Sequence, residues 1–298
     1  MAVLEALSAS RKSLRTPHSS RRIPCAHTRL IYRGAPLVMG ILNVTPDSFS
    51  DGQCCADPDA AIVRGMHMAE EGADLIDVGG ESTRPGALPV ALEEELRRVI
   101  PVIARLAKVV QIPISVDTLK AEVARQAMDV GASIINDVSA LRADPAMALI
   151  AAQSKAAVIL MHMRGTPVTM QRAPRYGDVT EEVYAFLVNA AQRAEASGID
   201  RRRLLIDPGL GFGKTTAHNL TLMHRLDQFV ASGYLVVIGP SRKRFIGEVL
   251  DADIDERLTG TLACIAQAQR AGVQVVRVHD VRPAVQLIRM LNAIEQGR

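Results

Sequence analysis

From Leu37 onward the chain alternates short β-branched runs with segments of helical period. Eight runs read as strands: Leu37–Asn43, Leu75–Gly79, Ile114–Asp117, Ile134–Val138, Ala157–Met161, Leu204–Asp207, Leu235–Ile238 and Val275–Val278. Between them lie helical patterns at Ala60–Glu71, Leu92–Ala107, Lys120–Val130, Glu181–Ser197, Leu220–Ala231 and Leu258–Arg270, and Pro283–Ile294 closes the series. Gly72, Gly131, Gly198, Gly233 and Gly272 each stand just past a helix, where a left-handed stop is wanted. Such alternation, with no hairpin signal, calls for a parallel sheet. Eight units match a (β/α)8 TIM barrel of about 250 residues. An open sheet would show a glycine fingerprint at its first helix, and Thr45–Asp57 has no G-x-G-x-x-G.

With 48% hydrophobic residues in 298 the chain can bury a large core, and no apolar stretch is long enough to span a membrane. Cys25, Cys54, Cys55 and Cys264 lack C-x-x-C spacing, which fits free thiols in a reducing, cytoplasmic setting rather than a zinc site. Basic charge concentrates at the start: residues 1–29 hold six Lys and Arg against Glu5 alone. The net charge of +3 therefore leaves the body near neutral, which argues against a general nucleic-acid surface. Residues 1–29 read as a basic, disordered extension and residues 30–298 as the barrel domain.

A barrel binds ligands at the carboxyl ends of its strands, so the residue ending each run is informative. Those ends read Asn43, Asp77, Asp117, Asn136-Asp137, His162, Asp207, Ser241-Arg242-Lys243 and Arg277 with His279-Asp280. One polar end is usually a cap, whereas eight on one rim form a site. Asp117, Asn136 and Asp207 are acceptors suited to the donor edge of a flat amino-heterocycle. Asn43, Arg277 and His279 come from neighbouring first and last strands and suggest an anion site with two cationic donors. The mouth is thus expected to hold a heterocycle on one side and phosphate on the other.

The run Leu205–Thr215 imitates a phosphate-binding P-loop, but Pro208 stands six residues before Lys214 where that motif needs glycine, and proline lacks the backbone donor. Its glycines suit a tight turn beneath a ring, with Phe212 as an apolar contact. The connections Thr45–Pro58 and Gly80–Val90 exceed the usual 2–6 residues or so, and are expected to act as closing loops.

Met39–Gly52, Asp77–Gly86, Ser115–Thr118, Asn136–Ser139, Met161–Gly165, Asp207–Lys214, Gly239–Lys243 and Arg277–Asp280 together resemble dihydropteroate synthase. The resemblance runs from residue 36 to about 295. It implies condensation of 6-hydroxymethyl-7,8-dihydropterin diphosphate with 4-aminobenzoate, in folate synthesis, with Mg²⁺ and a homodimer. Carried over position by position, Asp117, Asn136, Asp207 and Lys243 would hold the pterin, with Met161 also on the substrate side. Asn43 would meet the metal, and Arg277 and His279 the diphosphate. Thr83, Pro85, Phe212 and Ser241 would frame 4-aminobenzoate, the pocket that sulfonamides occupy in this family. Asp47, Phe49, Asp51 and Arg84 would act from the two loops. A departure is Gln53-Cys54-Cys55, where many relatives have a second glycine after Gly52.

Two other readings compete. A pterin-binding methyltransferase barrel would need a corrinoid partner and has no use for Ser241-Arg242-Lys243 or for the Arg277/His279 pair. A pterin-binding paralogue without turnover would not need both loops and the anion site, all of which are present.

Overall fold

The computed structural model describes residues 21–45 and 57–297. It opens with an antiparallel hairpin, β1 (Arg21–Pro24) and β2 (Arg29–Tyr32). Eight parallel strands follow: β3 (Leu37–Asn43), β4 (Leu75–Gly79), β5 (Ile114–Asp117), β6 (Ile134–Asp137), β7 (Ala157–Met161), β8 (Leu204–Asp207), β9 (Leu235–Ile238) and β10 (Val275–Val278). They close in sequence order, with β10 pairing both β9 and β3. The (β/α)8 TIM barrel expected from the alternation is therefore present, and only β6 is shorter, by Val138.

The pleat divides the strands into two sets of side chains. Val38, Leu42, Ile76, Val78, Val116, Ile135, Val158, Leu160, Ile206, Val236, Ile238, Val276 and Val278 pack outward with the helices in the main core. The alternate residues Leu37, Met39, Leu75, Ile134, Ala157, Ile159, Leu205, Leu235, Val237 and Val275 form a separate cluster filling the lumen. Two positions further along the strands the lumen turns polar, with Asp77, Asp117, Asn136, Asp207 and Arg277. A packed apolar plug thus lies beneath a polar floor at the carboxyl ends.

The hairpin corrects the expected boundary. Residues 21–29 are not an extension: Ile23, Cys25 and Leu30 join the lumen cluster and stopper it from below. The turn Cys25–Thr28 carries no Gly or Asn, so nothing in it announces a hairpin. Burial holds the Cys25 thiol up at about 11, and Cys25 and Cys264 are both free.

Helices surround the barrel: α1 (Pro58–Glu70), α2 (Leu92–Val109), α3 (Ala121–Asp129), α4 (Met147–Ser154), α5 (Val179–Ala196), α6 (Thr216–His224), α7 (Leu226–Ala231), α8 (Arg244–Leu250), α9 (Leu258–Ala271) and α10 (Val281–Gln296). Their starts are chemically marked. Pro58 sits at the first turn of α1 behind the cap Asp57, and Asp178 caps α5 by accepting from the amides of Thr180 and Glu181. Thr215 and His218 form a capping box that starts α6 four residues before the periodic apolar pattern does. All five glycines expected to stop helices have positive φ, from 78° to 118°. The helix α4 has no such glycine; Lys155 stops it in the left-handed region at φ 57°. Ile265 and Ile288 are buried, and Leu262 and Leu287 pack on the core, so these faces of α9 and α10 cover the barrel.

Candidate active site

A cavity of about 760 Å³ opens at the carboxyl end of the barrel, and ten of the expected residues line it: Asn43, Thr83, Arg84, Pro85, Asp117, Phe212, Ser241, Lys243, Arg277 and His279. Side chains from first strand to last therefore share one cup. Asn136, Asp207 and Met161 are not in its lining; they are buried in the wall behind it. Asp47, Phe49, Asp51 and Gln53-Cys54-Cys55 lie outside the described residues.

The floor is an ion cluster. Arg277 donates from Nε to Asp77 Oδ2 at 2.6 Å and from Nη2 to Asp117 Oδ2 at 2.9 Å. Asn136 Nδ2 donates to the same Asp77 oxygen at 3.0 Å. One guanidinium cannot balance two buried carboxylates. Burial, together with the neighbouring Asp77, pushes the Asp117 carboxyl up to about 8 against the pull of Arg277. The expected division into a heterocycle wall and an anion wall is thus narrower than the sequence suggests, because Asp117 and Arg277 touch. Asp77, a strand-end residue with no role assigned from sequence, links the two walls by accepting from both Arg277 and Asn136. Its inward parity, two residues after Leu75, is the signal that identifies it.

The opposite wall is built from the loop after β8. Asp207 Oδ1 accepts from the Gly209 amide at 2.7 Å, and burial raises its pKa. Lys243 donates to the Leu210 carbonyl and lies 4.3 Å over the Phe212 ring. Burial, partly offset by Asp207, brings the Lys243 ammonium down to about 8. Lys214, rejected as a phosphate ligand from sequence, is buried and donates to His162 Nδ1 at 2.9 Å and to the carbonyls of Gly209 (2.9 Å) and Phe212 (3.0 Å). It pins the loop from within. His162 is held neutral, near 2, by burial and by Lys214.

His279 corrects an expectation. The sequence suggests a cationic donor, but burial and the guanidiniums of Arg277, Arg242 and Arg84 take its pKa down to about 3. Ser241 Oγ accepts from the His279 amide at 3.1 Å and lies 3.0 Å from its Nδ1. The hydroxyl can then donate to Nδ1, which leaves the ring proton on Nε2. The imidazole is a neutral donor beside guanidiniums. Arg242 is itself pinned by two bonds to Asp280, at 2.7 and 3.0 Å.

A third long connection, residues 162–178 after β7, also shapes the mouth. Met170, Gln171, Ala173 and Pro174 line the cavity, and Gln171 Nε2 donates to the Gly211 carbonyl at 2.5 Å. The Gly86 amide donates to the Pro167 carbonyl at 2.9 Å, so this loop meets the one after β4 across the entrance. Its length was visible as the gap between Met161 and Glu181.

Comparisons with known proteins agree with this geometry. The family model described as pterin binding enzyme matches residues 39–279. The dihydropteroate synthase of Escherichia coli strain K12 is 48% identical over 87% of this chain and 91% of its own. That of Bacillus subtilis strain 168 is 43% identical over 93% and 96%. Among solved structures, Xanthomonas albilineans dihydropteroate synthase with 4-aminobenzoic acid superposes with a TM-score of 0.87 at 48% identity, covering 93% of this chain and 99% of that one. The same enzyme in complex with 7,8-dihydropteroate gives 0.83 at 46%, covering 92% and 98%. With the barrel, the motifs and the single cavity all in accord, the chain belongs to the dihydropteroate synthase family of pterin-binding enzymes.

Proposed function

We propose that the cavity joins 6-hydroxymethyl-7,8-dihydropterin diphosphate to 4-aminobenzoate, giving 7,8-dihydropteroate and pyrophosphate. The observation that carries this reading is that Asp117, Lys243, Arg277 and His279, from strands on opposite sides of the barrel, line one cavity. Asp117, Asn136, Asp207 and Lys243 are assigned to the pterin, with Met161 beneath it. Asn136 and Asp207 stand just behind the lining, next to Asp77 and Lys243 of the floor and wall. Thr83, Pro85, Phe212 and Ser241 frame 4-aminobenzoate, and Arg84 acts with the Asp47, Phe49 and Asp51 loop to close the mouth.

The methylene–oxygen bond breaks first and the methylene–nitrogen bond forms second, a dissociative substitution that an electron-rich pterin supports. The Nε and Nη2 of Arg277 are committed to carboxylates, so its Nη1 is assigned to the departing diphosphate together with His279 Nε2–H. The amine proton leaves with the pyrophosphate. Asn43 is assigned to Mg²⁺. Among the described residues no trio of His, Cys, Asp and Glu is gathered to hold a metal, and one amide oxygen suits an ion carried mainly by diphosphate and water. When bound, that ion supplies neutralising charge at the diphosphate.

No helix among the described residues is long and apolar enough to cross a membrane. Exposed Leu220, Val249 and Leu250 on the touching helices α6 and α8 support a homodimer. The test is pyrophosphate release from both substrates, with Asp207→Asn and Lys243→Ala as controls. Turnover by the parent chain and its loss in both variants is expected; pyrophosphate release with no 7,8-dihydropteroate formed when both substrates are present overturns the reading.

A further inference from the structure

The loop after β4, which carries Thr83, Arg84 and Pro85, is gripped at its root by groups that the proposed reaction leaves unused. Arg98 of α2 donates to the Gly80 carbonyl at 2.8 Å. A Cβ at Gly80 would lie 2.6 Å from Val99 Cγ1 and 3.2 Å from Glu95 Cγ, so the chain passes against α2 with no space for a side chain. The next residue, Glu81, lines the cavity, and its carboxylate accepts from Lys120. The same ammonium donates to Glu95 Oε2 at 2.5 Å. Glu95 is fully buried in the first turn of α2, and its second oxygen accepts from Thr118 Oγ1 at 2.6 Å. Thr118 follows Asp117 of the cavity floor. Two carboxylates and one ammonium thus tie the loop root to the floor.

The charge balance gives this tie a consequence. Both substrates of the proposed reaction bring negative charge to the mouth, as a carboxylate and a diphosphate. A carboxylate on its lining would repel them unless held and compensated. We propose that Lys120 is a positioning residue for the anionic substrates: it holds Glu81 back against the wall and offsets part of its charge, so that the loop presents Thr83, Arg84 and Pro85 with less opposing charge. Burial alone would lower the Lys120 pKa, but the bonds from Glu81 and Glu95 outweigh it and the net shift is upward, so the cation persists at neutral pH. This inference rests on the reaction assigned above.

Three variants test it: Lys120→Met, Lys120→Met with Glu81→Gln, and Lys120→Arg. Steady-state kinetics in 4-aminobenzoate are paired with calorimetric binding of 4-aminobenzoate and with melting temperature. Lys120→Met is expected to raise KM and Kd for 4-aminobenzoate about tenfold while kcat changes by less than about threefold. Removing the Glu81 charge in the double variant is expected to recover most of that loss, although the melting temperature stays low because Glu95 remains unpaired in both. Lys120→Arg is expected to bind 4-aminobenzoate within about threefold of the parent. An unchanged affinity in Lys120→Met, or a loss that persists in the double variant, overturns the proposal and leaves Lys120 a structural cation. If Lys120→Met does not fold, Lys120→Gln with and without Glu81→Gln is read the same way. Absence of turnover in the parent chain would count against the assigned reaction, while the binding measurements still decide the role of Lys120.

Discussion

Replacing Asp117 by Asn should stabilise the fold as pH rises while abolishing turnover. Asp117 and Asp77 share the single Arg277 guanidinium, and Asp117 is pushed up to about 8 from an ordinary 3.8. A carboxyl whose folded pKa is raised contributes stability that is fully present below its unfolded value and is lost as pH climbs to the folded one. For Asp117 the window runs from 3.8 to about 8. Each pH unit inside it costs at most ~1.4 kcal/mol, so the rise from pH 5 to 8 costs at most ~4 kcal/mol. Sharing of Arg277 and relaxation of the site reduce this to roughly 1–3 kcal/mol. Asparagine keeps the shape and can still accept from Arg277, but carries no charge. At about 2–4 °C per kcal/mol, the variant's melting temperature should pull ahead of the parent's by about 2–12 °C between pH 5 and pH 8. Thermal unfolding of both proteins across that range measures it. Groups such as His279 and Lys243 titrate in both proteins and cancel in the difference. A gap that stays constant with pH would refute the reasoning.

Other predictions follow from the same packing. His162 and His279 are held near 2 and 3, below their ordinary 6.5, so the stability they contribute is present above pH 6.5 and is lost as pH falls toward 3. His279→Gln should flatten the acid limb of the stability profile by about one proton, which urea unfolding at pH 4–7 reads; an unchanged slope contradicts a neutral His279. Gly209 has φ 67° and a Cβ there would lie 2.1 Å from the His162 carbonyl oxygen. Gly209→Ala should cost roughly 2–5 kcal/mol in denaturant unfolding, from the left-handed backbone and the clash together, and a loss under ~1 kcal/mol would contradict it. Lys214→Met should unpin the loop beneath Phe212 and raise KM for both substrates. An affected KM for one substrate alone would argue that Lys214 touches that ligand directly.

The barrel was legible because its strands are short β-branched runs punctuated by helices and stop glycines, and seven of the eight spans coincide with the observed ones. What escaped lacked that punctuation. Helix α4 ends on Lys155 instead of glycine, and α6 begins at a capping box before its apolar pattern does. The hairpin resembles a tail because its arginines hide the apolar positions Ile23, Cys25 and Leu30 that reach the lumen. At the cavity, residue types and strand ends pointed to ten of the residues that line it, and strand parity sorts those on the strands. Asn136 faces the lumen, while Asp137 turns outward and accepts from Ser139 and Leu141 in the following loop. Charge state was beyond reach from sequence, because the neutrality of His279 depends on burial and, besides nearby Arg277, on Arg242 and Arg84, which are distant along the chain.

The central claim is that the pterin-holding and diphosphate-holding groups form one continuous site. Competition binding tests it directly: dihydropterin diphosphate is titrated into the protein with and without inorganic pyrophosphate, both for the parent chain and for Asp207→Asn. Pyrophosphate is expected to displace the pterin ligand competitively, and Asp207→Asn to weaken the pterin ligand while leaving pyrophosphate affinity unchanged. Simultaneous, independent binding of the two would contradict it.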